Sequence, residues 1–466
     1  MITFNPNELS KLLSNYCTDL RKWLDEIREL PIIPPNLEAQ IAALNEPSLP
    51  DAGQGLSVTV SEFKSRIAPG LANTAGPRAF PWVIGGVTPA ALLGALYQIQ
   101  FDPINMVSGA SIGPKLESET INLLLDLFQL SREHFTGTLT TGATASNLSG
   151  LACARQWWGL QHGVNIAEVG MNNLPAMEVY AACPHASIDK ALSILGYGRN
   201  NLIRVKCLPN REAIDIASLT QHLSQSSAKA KIVIASTGTV NTADFDSLRE
   251  VATLCHKHNA WLHVDAAFGL FAKCHPQFAA LADGIELADS ITTDAHKWLN
   301  VPYDCGIFFL KKVHKPHLVA TFSSIADYMS QAADEPMNKG IENSRSLRAL
   351  SVWMTLKAYG HKGYRDLIDR NCAFASAVAA LIQESRDYEL LAPVRLNIVL
   401  FRAKNITNAA ENAQLIKHIN ATGKIFITGT IYNGIPALRI AVCNWRTNIE
   451  EDLDAVKEAL AEGFRA

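Results

Sequence analysis

The sequence predicts an α/β protein: a large domain on a mostly parallel central sheet, a helical arm before it and a small α+β domain after it. Three observations carry this reading. Between Val179 and Leu310, short β-prone runs alternate with helical stretches, the order that yields a parallel sheet covered by helices. Two of the runs, Trp261 to Gly269 (WLHVDAAFG) and Ser290 to Gly306 (SITTDAHKWLNVPYDCG), are apolar and end in polar groups, Asp265 in the first and the adjacent His296 and Lys297 in the second. Buried parallel strands read as continuous apolar runs, and ligands sit beyond their carboxyl ends, so both groups are expected to face one crevice. From Ser346 a helix leads into a shorter mixture of strands and helices. The expected boundaries are residues 1–74 for the arm, 75–355 for the large domain and 356–466 for the small one.

A chain of 466 residues is too long for one core alone, and 48% hydrophobic residues with a net charge of −3 give an ordinary globular composition. No basic excess points to nucleic acid or an anionic membrane. Apolar stretches such as Pro89 to Tyr97 (PAALLGALY) fall short of the ~20 residues a membrane span needs. The start, MITFNPNELSKLL, lacks a charged region followed by an apolar core, so no secretory signal is expected. Nine cysteines without framework spacing fit a reducing compartment, and a cytoplasmic location is the expectation.

Asn5 is placed to cap a helix with Pro6 in its first turn, and Leu9, Leu12, Leu13, Leu20, Trp23, Leu24 and Ile27 follow at helical spacing. A Pro-rich break from Leu30 to Pro35 precedes a second helical piece, Leu37 to Leu44, and a polar link runs to Gly55. Short helices with one apolar stripe must dock on something. The segment GPRAFPWVIGG, residues 76–86, reads as irregular, and its Trp82 is either a core aromatic or a pocket residue. Thr136 to Arg155 is a turn rich in Gly and Thr that feeds a small-residue helix. Free N–H groups at a helix start with hydroxyls beside them can cradle a phosphate, but Thr144 as an N-cap and Gly142 as a turn residue also account for the pattern.

Val179 to Cys183, Leu202 to Cys207 and Lys231 to Ala235 read as strands. His185, just past the first, is either a helix-entry residue or part of a site at the sheet edge that carries Asp265 and Lys297. The helix from Ser247 to His258 bears Cys255, His256 and His258, with His263 beyond. Metal binding is not expected there, because ligands on one helix face need spacing of three or four residues. Taken singly, Asp265 could be a cap or ion-pair partner and Lys297 a surface lysine. After a strand from Gly306 to Leu310, the stretch from His314 to Ser344 has no clean periodicity and reads as a mobile active-site loop. Strands at Val394 to Phe401, Phe426 to Thr430 and Leu438 to Val442, with helices at Asn408 to Ile419 and Glu450 to Leu460, complete the last unit.

A lysine amine forms a Schiff base with an aldehyde, and a carboxylate can keep a pyridine nitrogen protonated. Pyridoxal 5'-phosphate (PLP) needs both from its protein, since its ring is an electron sink only while that nitrogen is charged. HVDAAFG followed by DAHKWLNVPYDCG resembles the group II PLP-dependent amino-acid decarboxylases, which act on aromatic amino acids, glutamate, histidine or cysteine sulfinate. The resemblance runs from about Ala75 to Gly360. It implies the PLP-dependent transferase fold type I, PLP as cofactor, and a homodimer with the arm packed on the partner subunit and the active site near the interface. It further implies Lys297 as the aldehyde-binding amine, Asp265 at the ring nitrogen, His185 stacked on the ring and the small Ala267 leaving room for it. Ala143 and Thr144 fall at the phosphate positions, Asp294 and His296 close by, Trp82 in or near the substrate pocket, Arg439 toward the substrate carboxylate or else on the sheet surface, and Tyr328 at the proton donor. Three positions depart from the pattern: Gly76 replaces a usual His, Val240 a usual Thr, leaving Thr239 or Asn241 for any polar contact, and Asp294 a common Asn. A carboxylate at 294 repels a phosphate unless donors intervene.

The activity implied is decarboxylation of an L-amino acid to its amine. Tyr328, where aldehyde-forming relatives commonly carry Phe, favours the amine over an aldehyde. A carbon–carbon lyase or transaminase reaction on the same fold is more distant, and a non-catalytic homologue is opposed by the intact Asp265, His185 and Lys297. An aromatic substrate would require an apolar pocket around Trp82, an acidic one a cation such as Arg78.

Overall fold

The computed structural model describes residues 5–44, 48–49, 51–109, 111–172, 174–324 and 334–464. Asn5 caps the first helix, Pro6–Glu26, by accepting from the N–H groups of Asn7 and Glu8, and Pro6 occupies the first turn, where its missing N–H costs nothing. Leu37–Ala43 and Leu56–Glu62 follow, and none of these helices buries a residue fully. The first helix is tethered just past its end, where Arg28 Nη1 lies 2.6 Å from Asp452 Oδ1. Arg78 Nε donates to the same carboxylate oxygen at 2.9 Å, so that cation is committed to the C-terminal part of the chain.

Among the described residues the central sheet has seven strands: β1 (Phe135–Thr140), β2 (Glu178–Ala181), β3 (Leu202–Arg204), β4 (Lys231–Ser236), β5 (Ala260–Asp265), β6 (Ser290–Asp294) and β7 (Gly306–Lys311), in the order β1-β7-β6-β5-β4-β2-β3. Only β7 runs against its neighbours. The remaining six therefore point their carboxyl ends to one edge. Alternation along β5 places Leu262 and Val264 in one apolar layer and Trp261 in the other, with the helix Ala143–Gln161 covering the second face. A second, antiparallel sheet of β8 (Tyr388–Leu390), β9 (Ile398–Ala403), β10 (Thr428–Tyr432) and β11 (Ile435–Ala441) has the order β10-β11-β9-β8 and its own core. The helix Ala349–Glu384 joins the two units and departs from helical geometry at Gly360, whose φ of 55° suits a residue without Cβ.

The sequence pattern misses β1. FTGTLT carries no continuous apolar run, yet its Thr residues suit a pleated surface, and pairing with β7 fixes it as an edge strand. Within the stretch expected to be a loop, Lys315–Phe322 is a helix entered through Pro316. Strand β9 begins four residues after the expected Val394, because Asn397 turns inward to donate to the Val442 carbonyl at 3.0 Å. Arg345 ties its segment to β1 and to a buried carboxylate: its Nη1 donates to the Leu139 carbonyl at 2.7 Å, and its Nη2 lies 2.8 Å from Glu117 Oε1. No helix among the described residues is long and apolar enough to cross a membrane.

Candidate active site

The carboxyl ends of β4, β5 and β6 and the start of the helix Ala143–Gln161 surround a cleft. Asp265 ends β5, flanked on both sides by paired strands, so its backbone is fixed by Thr237 N–H to the Asp265 carbonyl (2.8 Å) and Ala266 N–H to the Thr292 carbonyl (2.9 Å). Its Oδ1 accepts from Ala267 N–H at 3.2 Å and its Oδ2 from Asn147 Nδ2 at 2.9 Å. Lys297 follows β6 on a short turn that the sequence holds firmly. Trp298 is buried with its Nε1 donating to Asn371 at 2.8 Å. Asn300, left-handed at φ 58°, accepts from Gly86 N–H at 2.7 Å and donates to the carbonyls of Trp298 and Cys443. These contacts leave the Lys297 amine little choice of direction: Nζ lies 3.2 Å from Asp294 Oδ2 and 5.8 Å above the Phe268 ring.

One cavity of about 350 Å³ is lined by Lys297, Asp265, His185, Ala267, Trp82 and Arg439. A second cavity shares Trp82, His185, Ala267 and Lys297 with it and adds Ala143, Thr144, Asp294 and His296. The two form one slot, with the start of the helix Ala143–Gln161 at one end and Asp265 at the other. Every site residue expected from the sequence lines this slot except Tyr328, which lies outside the described residues. His185 is a helix-entry residue, its Nδ1 accepting from Ser187 N–H at 3.2 Å as the cap of the helix Ala186–Ile194, and its ring also faces the slot. Burial lowers its basicity, opposed by Asp265 and reinforced by Lys297. Burial likewise lowers His296, whose ring stacks 4.3 Å from that of Tyr303.

Trp82 is no core aromatic. It is 59% exposed, it packs edge-on to Phe426 at 5.7 Å, and both it and Val83 have positive φ (50° and 58°). A β-branched residue in that region is strained, and the strain sits on the cavity wall. Arg439 faces the same cavity with Nη1 donating to the Val240 carbonyl at 2.7 Å, while its Nε has no partner among the described residues; burial pushes its guanidinium down to about 10. Thr239 and Asn241 also line the cavity, but both side chains donate to Glu212, at 2.6 and 2.9 Å. Arg78 lies elsewhere, committed to Asp452. At the other end, the donor that meets the Asp294 carboxylate is the Ala143 N–H, 2.6 Å from Oδ1. Sequence reasoning missed Asn147, Ser187 and His263 as parts of the site. Asn147 in ASNLSG sits one helical turn after Ala143 and Thr144, the only signal that was available.

A slot with an amine at its middle, a carboxylate at one end and a helix start at the other fits an elongated aldehyde with a ring nitrogen and a phosphate. The fit is tight at Gly142, where an added Cβ would stand 3.0 Å from His296 Cε1. The family model described as the pyridoxal-dependent decarboxylase conserved domain matches residues 38–404. The chain belongs to this family. PLP is its cofactor, and the family is one of carboxy-lyases. It is 31% identical over 379 residues to an aromatic-L-amino-acid decarboxylase of Bacillus atrophaeus, covering 77% of this chain and 75% of that one. A phenylacetaldehyde synthase of a Rosa hybrid cultivar is 24% identical over 467 residues, covering 94% and 90%. The Oryza sativa protein crystallised with PLP and tryptamine superimposes with a TM-score of 0.89 at 22% identity over 100% of this chain and 99% of the other, which establishes the fold.

Proposed function

We propose that this family member decarboxylates an L-amino acid with an aromatic side chain, releasing carbon dioxide and the amine. The observation that carries the proposal is the convergence of Lys297, Asp265 and His185 on one cavity whose other walls include Trp82, Val83, Pro184 and Phe268. Bound PLP supplies an electron sink beside the substrate's Cα. The chain's own residues do the rest. Lys297 would hold the aldehyde carbon, and Asp265 would keep the ring nitrogen protonated. His185 would flank the ring, with Ala267 leaving space for it. Ala143 and Thr144, with Asp294 and His296 beside them, would bracket the phosphate. Arg439, whose Nε has no partner among the described residues, would receive the substrate carboxylate, and Tyr328 would return a proton to Cα.

The apolar walls and the commitment of Arg78 to Asp452 both favour an aromatic substrate over an acidic one. The similarity to a phenylacetaldehyde synthase supports a second reading, aldehyde formation. Tyr328 favours the amine. Screening the twenty amino acids for carbon dioxide release decides the substrate: release from tryptophan, tyrosine or phenylalanine is expected, and release confined to glutamate or diaminobutyrate would overturn the reading. Aldehyde and peroxide among the products would reverse the second choice.

The arm supports a homodimer. Leu13 and Tyr16 on its first helix are 53% and 48% exposed, an apolar stripe that no described residue of the single chain covers. Light scattering at twice the chain mass is expected.

A further inference from the structure

Alternation along β5 puts Trp261, His263 and Asp265 on the same face, under the helix Ala143–Gln161. Ser290 is the β6 residue opposite His263. These side chains make a continuous run of hydrogen bonds: Trp261 Nε1 to Ser290 Oγ at 2.9 Å, Ser290 Oγ to His263 Nδ1 at 2.8 Å, His263 Nε2 to Asn147 Oδ1 at 2.9 Å, and Asn147 Nδ2 to Asp265 Oδ2 at 2.9 Å. A branch leaves Asn147 Nδ2 for Ser187 Oγ at 3.0 Å and continues to His185 Nδ1 at 2.8 Å.

The direction of every bond is fixed by chemistry. An indole N–H only donates and an ionised carboxylate only accepts. Asn147 must therefore turn its NH2 toward Asp265 and Ser187 and its oxygen toward His263. That oxygen requires a donor, so His263 carries its proton on Nε2 and takes the Ser290 hydroxyl proton at Nδ1. The Ser187 N–H donates to His185 Nδ1 at 3.2 Å, so that nitrogen is an acceptor and also takes the Ser187 hydroxyl proton, which leaves Nε2–H on His185 directed away from the network. His263, Asn147 and Ser290 are fully buried, and an added Cβ at Gly150 would stand 2.5 Å from His263 Cε1, so the ring has no alternative seat.

We propose that His263 and Asn147 are positioning residues which, through this one-way donor chain, fix the orientation of the Asp265 carboxylate and the tautomer of His185 for the PLP ring. The proposal rests on the assignment of Asp265 to the ring nitrogen. His263→Phe keeps the ring shape and removes both nitrogens, leaving the buried Asn147 oxygen without a donor and the amide without its anchor on that side. PLP dissociation constants, measured from cofactor absorbance and fluorescence on the full-length holoenzyme, are expected to rise at least tenfold in His263→Phe and in Asn147→Leu. His263→Gln, which can accept from Ser290 and donate to Asn147, is expected to restore affinity to within about threefold of the parent. Nitrogen-15 NMR of histidine-labelled parent protein, with signals assigned by their loss in His263→Gln and His185→Gln, is expected to show Nε2–H at both rings, and this readout stands even if the Phe variant fails to fold. An Nδ1–H tautomer at either ring, or unchanged PLP affinity in His263→Phe, overturns the proposal. Unchanged cofactor spectrum and affinity in Asp265→Asn would instead overturn the assignment beneath it.

Discussion

Gly85 lies against the peptide that carries Lys297: a Cβ added to Gly85 would stand 1.9 Å from the Lys297 carbonyl oxygen. The irregular segment before the first long helix of the large unit therefore sets where the amine sits. Gly85→Ala forces backbone apart in a packed site, and overpacking of this kind costs about 1–3 kcal/mol. The expected result is a lower Tm together with a reduced PLP content at saturating cofactor. A variant with parental PLP content would show that the contact does not position Lys297.

Lys297→Ala removes the amine at the centre of the slot. PLP should still bind through the phosphate and ring contacts but no longer covalently. Borohydride reduction followed by intact mass measurement is expected to add the cofactor mass to the parent protein and nothing to the variant. Carbon dioxide release should fall by at least three orders of magnitude.

At the opposite end of the slot, Asp294 Oδ1 takes the Ala143 N–H and Oδ2 faces Lys297. A carboxylate at a helix start competes with a phosphate for the same donors. Asp294→Asn keeps an oxygen for Ala143 and removes the charge, so inorganic phosphate is expected to inhibit PLP binding more strongly, by about 3–10-fold, in line with about 1 kcal/mol for a charge at a helix terminus. Weaker phosphate inhibition in the variant would assign Asp294 a supporting role.

Arg345 and Glu117 form a pair with side chains only 3% and 6% exposed. Removing one partner of such a pair leaves an uncompensated buried charge at about 3–5 kcal/mol. Arg345→Met is expected to lose that much in urea unfolding, and Arg345→Met combined with Glu117→Gln to recover part of it.

Burial pushes His263 down to about 4 from an ordinary 6.5. The unfolded chain takes up a proton at this position while the folded chain resists it. The stability this group contributes is therefore complete above about pH 6.5 and is lost as pH falls toward 4, with a ceiling on the order of 3 kcal/mol. His185, lowered in the same direction by burial, adds to the trend. The urea midpoint is expected to fall steadily between pH 6.5 and 4.5, and less steeply in His263→Gln.

The residues proposed to do chemistry at the sheet edge stand out in the sequence because reactive groups at the ends of apolar runs leave a pattern in one dimension. Lys297 and Asp265 stand out in this way, and His185 follows from its place past a strand. The residues that hold them were not legible. Asn147 is an ordinary polar residue in a small-residue helix, and His263 sat among neighbours that suggested only a discarded metal cluster; their pairing joins positions more than a hundred residues apart. The edge strand β1 was missed because its Thr-rich sequence gains its stability from pairing with β7, which no local pattern encodes.

The sequence by itself determined the class of fold, through the periodicity of its strands and helices, and the cofactor, through the resemblance of HVDAAFG and DAHKWLNVPYDCG to the decarboxylase family. Tertiary structure alone decided which polar groups are already spoken for. Arg78 is drawn to Asp452, Thr239 and Asn241 to Glu212, and Asn147 to Asp265, because a buried donor or acceptor takes the nearest partner in space, and nearness in space is set by the packing of the whole chain.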